Sequence, residues 1–83
     1  MSSKADNPSQ TLIRVAQAAA AAGVSKQTID YYIMLGLVEP IRPAGKTGRY
    51  FDSKLIRRIQ LINRLNKSGY TLQAIRETYL KDK

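Results

Sequence analysis

The 83-residue chain contains no cysteine, no histidine and no tryptophan, and sets only 6 acidic residues against 14 Lys and Arg, a formal charge of +8. Without cysteine there is neither a disulfide framework nor a thiolate metal site. Without histidine the commonest general base and metal ligand is missing. The carboxylates Asp6, Asp30, Glu39, Asp52, Glu77 and Asp82 include no pair at i,i+3 or i,i+4 on one expected helix, so no acid/base couple is read. A nucleophilic serine would have no histidine partner. Gly45-Lys46-Thr47-Gly48 has neither the P-loop nor the dinucleotide spacing. An enzyme is therefore not expected, and no cofactor and no metal or thiol ligand is assigned to these residues.

Long hydrophobic runs are also lacking. The longest is Ala18 to Ala22, followed by Gly23 and Val24, far short of the roughly 20 residues that span a bilayer. The N-terminus has no charged segment leading into an apolar core, so no secretion signal is read and a cytoplasmic location is expected. The length suits one small domain that buries only about 60% of its unfolded surface. What is abundant is positive charge, and it favours a polyanionic partner: nucleic acid first, an anionic membrane surface second.

Residues 1–10, rich in polar residues and containing Asn7-Pro8, read as a disordered lead-in. A domain over 11–80 and a tail at 81–83 follow. Thr11 to Val15 is β-favouring and suits a short edge strand. Gln17 to Ala22 reads as a two-turn helix ended by Gly23. Ser25 has the chemistry of an N-cap for a second helix, Lys26 to about Leu35, with Ile29, Tyr32 and Ile33 as its buried stripe. Two short helices around a turn with Gly form a helix-turn-helix pattern.

Leu37 to Arg42 suits a strand, 43–48 a loop, and Arg49 to Phe51 a return strand, together a β-hairpin. Asp52 or Ser53 starts a third helix that Gly69 stops after Ser68. Its apolar residues Leu55, Ile56, Ile59, Leu61, Ile62 and Leu65 are expected to cover one broad face, opposite a stripe of Arg57, Gln60, Arg64 and Lys67. Thr71 caps a fourth helix with Leu72, Ile75 and Tyr79 on one side; Ala74 denies it a capping box.

Each feature has a structural and a functional reading. The helix-turn-helix is either a helical hairpin of a small bundle or a reading head whose second helix enters a major groove. In the second case Lys26, Gln27, Asp30, Tyr31 and Met34 are exposed to it. Gln reads adenine bidentately, Lys reaches guanine or phosphate, and a Tyr hydroxyl bonds phosphate. The hairpin is a polar turn or, with Arg42, Lys46, Arg49 and Lys54 against Asp52 alone, a wing that follows the phosphate backbone. The stripe on the third helix is a solvated face or a phosphate contact. Tyr32 belongs to the core with its hydroxyl at the rim, and Tyr31 is the better phosphate contact.

Residues 15–76 resemble the DNA-binding domain of the MerR family, a winged-helix relative. Val15 through Ala19 and Gly23-Val24-Ser25 stand where the family has its first helix and turn. Thr28-Ile29-Asp30-Tyr31-Tyr32 stands where it has Thr-Leu-Arg-Tyr-Tyr, and Gly36-Leu37-Val38 and Pro40 continue in register. Arg49-Tyr50-Phe51 fits the wing's Arg-x-Tyr. Ile59, Ile62, Leu65, Gly69-Tyr70-Thr71-Leu72 and Ile75 fit the helices that follow. The resemblance implies a mainly α winged helix-turn-helix of about four helices with a short β-hairpin wing, working in bacterial transcription regulation on double-stranded DNA. With the residue chemistry above, it makes Ser25, Lys26, Gln27, Thr28, Tyr31, Tyr32, Arg42, Lys46, Arg49 and Arg57 the candidate DNA-binding residues.

Three features depart from the family pattern. Asp30 replaces an arginine, and either reads a base or pairs with Lys26 or another base. Gly48 precedes Arg49 where the family usually has Tyr. The chain stops at Lys83, before the long dimerisation helix and effector domain of full-length members, and reads equally as a piece of such a protein or as a small stand-alone one. A lone domain reaches about one half-site, so the expected assembly is a monomer that associates on DNA or through a further C-terminal region. An excisionase-like architectural protein and a protein-interaction module that lost DNA binding are the alternatives, the second permitted by Asp30.

Overall fold

The computed structural model describes residues 12–78. The expected lead-in, the tail, Thr11 and Tyr79 lie outside the described residues. The elements are β1 (Ile13–Arg14), α1 (Val15–Ala22), α2 (Lys26–Met34), β2 (Tyr50–Phe51), α3 (Ser53–Lys67) and α4 (Leu72–Thr78). Four helices with a small antiparallel sheet make a winged helix-turn-helix.

Local chemistry starts and stops each helix. The N–H of Arg14, the residue before α1, donates to Gln17 Oε1 at 3.4 Å. After α1, Gly23 takes φ +75 and its N–H donates to the Ala19 carbonyl at 2.9 Å. That left-handed conformation is open to glycine at little cost, and it turns the chain sharply into α2. Ser25 Oγ accepts from the Thr28 N–H at 3.0 Å, the expected cap of α2. Asp52 Oδ1 accepts from the Leu55 N–H at 2.9 Å and caps α3. Thr71 Oγ1 accepts from Ala74 N–H at 3.0 Å and caps α4.

Ala18, Ala19 and Ala22 are buried on one face of α1. Their small side chains let α1 lie close against α2 and α3. Ile29 and Tyr32 from α2, Phe51 from β2, Ile59 and Ile62 from α3, and Ile75 from α4 complete the core, with Leu37 and Val38 from the segment that follows α2. Each large side chain so buried contributes about 1.5–3 kcal/mol.

Three expectations are corrected. Helix α1 begins at Val15, two residues before Gln17, which shortens the first strand to Ile13–Arg14. The strand expected at 37–42 is a single bridge, Ile41 to Tyr50. Pro40 and Pro43 flank Ile41 and lack the N–H groups a ladder needs, while Leu37 and Val38 turn inward as core residues. The partner of β2 is instead β1, antiparallel, with Ile13 opposite Phe51 and Arg14 opposite Tyr50. Leu61 is 41% exposed and does not join the apolar face of α3. It follows Ile59 by two residues, about 200° around the helix, and so falls between Arg57 and Arg64 on the outer stripe.

Candidate nucleic-acid interface

The site is assembled on α2 and on the wing, the segment between α2 and β2. The Ser25 cap leaves Lys26 and Gln27 in solvent in the first turn. Ser25 Oγ also lies 2.9 Å from Thr28 Oγ1, so the two hydroxyls form a small cluster at the helix start. The same periodicity that buries Ile29 and Tyr32 turns Asp30, Tyr31 and Met34 outward; Tyr31 is 48% exposed and Met34 73%.

Tyr50 organises the wing. Its ring is buried, its hydroxyl accepts from Arg14 Nη2 at 3.0 Å, and the Arg14 guanidinium carbon lies 5.3 Å from the ring centroid. Lys46 Nζ, from the wing loop, is 5.7 Å from the same centroid. The ring face attracts both cations, and so ties the loop to β1. Gly48 takes φ +101, a conformation that side chains with a Cβ rarely adopt. The glycine that departs from the family pattern therefore suits the bend that delivers Arg49.

Arg49 closes the arrangement. Its Nη1 donates to Asp30 Oδ1 at 2.6 Å, an ion pair between the wing and the outer face of α2. Of the pairing partners left open for Asp30, the structure shows the wing's Arg49 rather than Lys26. An exposed pair of this kind is worth only about 0.2–1 kcal/mol, yet it aligns wing and helix on one side of the domain.

A groove of about 420 Å³ borders the start of α2 and is lined by Ser25, Gln27, Thr28, Tyr31, Tyr32, Asn63, Asn66 and Leu72. Five candidate residues thus meet in one place. Tyr32 is a core residue that borders this groove, and burial pushes its phenol above the ordinary tyrosine value, so it stays a neutral hydroxyl. Asn63 and Asn66 carry polar groups into the groove that the residue-type reading passed over; their spacing from Ile59 and Ile62 on α3 was the available signal. Asn66 Nδ2 also donates to the Tyr70 carbonyl at 2.7 Å and braces the turn into α4.

The remaining candidates stand apart. Arg42 and Arg57 are exposed and make no side-chain hydrogen bond or ion pair among the described residues. Gln60, expected in the outer stripe, bends back to the Ala21 carbonyl at 3.4 Å. Arg58, outside that stripe, donates Nε to the Leu37 carbonyl at 2.8 Å and fastens the wing base to α3. Among the described residues no three His, Cys, Asp or Glu side chains are grouped to hold a metal ion, and no helix is long and apolar enough to cross a membrane.

The family model described as MerR HTH family regulatory protein matches residues 13–81. The chain belongs to the MerR family. It is 38% identical over 64 residues to the HTH-type transcriptional regulator CueR of Bacillus subtilis (strain 168), covering 77% of this chain and 44% of that protein. It is 34% identical over 62 residues to the mercuric resistance operon regulatory protein of Bacillus cereus, covering 75% of this chain and 47% of that one. The aligned part is thus less than half the length of either MerR-family relative.

Proposed function

We propose that this MerR-family domain binds double-stranded DNA for transcription control, with α2 in the major groove and the wing on the phosphate backbone. The observation that carries this is the exposed face of α2 lying beside a cationic wing, the two joined through Asp30 and Arg49 at 2.6 Å. In this reading Gln27 and Lys26 meet base edges, and Tyr31, Ser25 and Thr28 meet backbone at the groove mouth. Arg42, Lys46 and Arg49 follow one strand of phosphates. Arg57 gives a further backbone contact from α3. Tyr32, buried, contributes its neutral hydroxyl at the groove rim. Backbone contacts position the protein and base contacts specify the sequence.

A domain of this size covers about one half-site, and copies associate on the duplex or through a region beyond the aligned part. The test is the salt dependence of duplex binding. Contacts to about four to six phosphates give a slope of log K against log salt of about −4 to −5. A slope near zero would remove duplex DNA as the partner.

A further inference from the structure

Asp30 sits on the outer face of α2, one turn after Lys26 and Gln27, and its side chain is 46% exposed. A carboxylate in a helix that faces a polyanion is unfavourable unless it is neutralised and has a donor to accept from. The structure supplies the first condition. Arg49 Nη1 contacts only Oδ1, and Oδ2 has no hydrogen-bond partner among the described residues. The pair is monodentate, so the guanidinium keeps donors for a phosphate while Oδ2 keeps its lone pairs.

Base chemistry supplies the second condition. In the major groove guanine presents N7 and O6, both acceptors, and thymine presents O4 and a methyl group. Adenine presents its N6 amino group beside the N7 acceptor, which suits an amide and repels a carboxylate. Cytosine presents N4, a donor with no acceptor at its side. We propose that Asp30 is a specificity-determining residue that reads cytosine through its N4 amino group, with Arg49 neutralising it and holding the adjacent backbone. The inference rests on the DNA-binding reading above and deepens it. Asp30 and Arg49 act as one unit, in which base readout by one residue is coupled to backbone grip by the other.

The experiment is selection of bound duplexes from a random pool by the wild-type protein, Asp30→Asn and Asp30→Ala, followed by affinity measurements on the recovered site. The wild type is expected to fix cytosine at one position, and replacing that C·G pair by T·A to lower affinity about fivefold or more. Asp30→Asn, whose amide can bond adenine N6 and N7 together, recovers the same site with adenine there. Asp30→Ala recovers it with no preference there. Arg49→Gln weakens the wild type by a larger factor than it weakens Asp30→Asn, because only the former is left with an uncompensated carboxylate.

Identical recovered sites from wild type and both Asp30 variants would overturn the inference, as would equal Arg49→Gln losses in the two backgrounds. A wild type that binds duplex with steep salt dependence but enriches no sequence would also overturn it while leaving DNA binding intact. A wild type that binds no duplex would overturn both. Asp30 is a solvent-facing helical residue, and matching circular dichroism melts establish that the variants are folded.

Discussion

Replacing Asp52 by alanine tests how the wing is fastened to the core. Asp52 directly follows β2 and is only 8% exposed, and its carboxylate accepts the Leu55 N–H at 2.9 Å at the start of the 15-residue α3. Alanine leaves that N–H without its partner in a part-buried position. Loss of an N-cap of this type costs about 0.5–2 kcal/mol, and an unsatisfied buried donor adds to the upper part of that range. A loss of about 1–2 kcal/mol lowers the melting temperature of a domain this small by roughly 4–16 °C. Thermal unfolding followed by circular dichroism measures it, with Asp52→Asn and Asp52→Ser as controls. Both controls keep a side-chain acceptor without the charge and should recover most of the loss. If Asp52→Asn unfolds as early as Asp52→Ala, charge rather than capping is the cause; if neither moves the melt, the cap contributes nothing.

Gly23→Ala forces a Cβ into the left-handed region at φ +75 and should cost about 1–2 kcal/mol in a denaturant titration, with Gly23→Asn losing less; equal stability of all three would mean the turn has other routes. Arg49→Glu should weaken binding to every duplex sequence and reduce the salt slope, since it removes one phosphate contact and sets a carboxylate opposite Asp30. Gln27→Ala should weaken a selected site more than random duplex, and equal losses would remove Gln27 from base reading. Folding raises the Tyr32 phenol above its ordinary value of 10.0 through burial. The unfolded chain therefore loses that proton first, and stability falls as pH rises from 10 through the folded value. The melting temperature of Tyr32→Phe should fall less steeply over that range than the wild type's.

The helix boundaries were largely legible because their causes are local. Ser25, Asp52 and Thr71 are short polar side chains placed just before apolar-periodic stretches, and Gly23 and Gly69 follow the last turns. The sheet was not, because Ile13 pairs with Phe51 across most of the domain, and nothing within either segment names the other. A strand at 37–42 satisfied β-propensity, but Pro40 and Pro43 decide the ladder and the core claims Leu37 and Val38. Leu61 was misplaced by treating six apolar residues as one face when the 100° step sets it among arginines. In the candidate site, residue types and family pattern pointed to α2 and the wing. They could not choose among three partners for Asp30, since Arg49 lies 19 positions away in sequence and meets it through the path of the wing. Asn63 and Asn66 belong to neither stripe of α3 and were not legible as site residues, because they join the groove only where α3 packs beside the start of α2.

The central claim is that the outer face of α2 and the wing form one surface for duplex DNA. Titration of the isotopically labelled protein with a selected duplex, followed by amide chemical shifts, tests it most directly. The largest shifts are expected at 25–31 in and before α2 and at 42–49 in the wing, while buried Ile59, Ile62 and Ile75 move little. Shifts confined to the exposed side of α1, or spread evenly over all helices, would contradict the assignment of this surface.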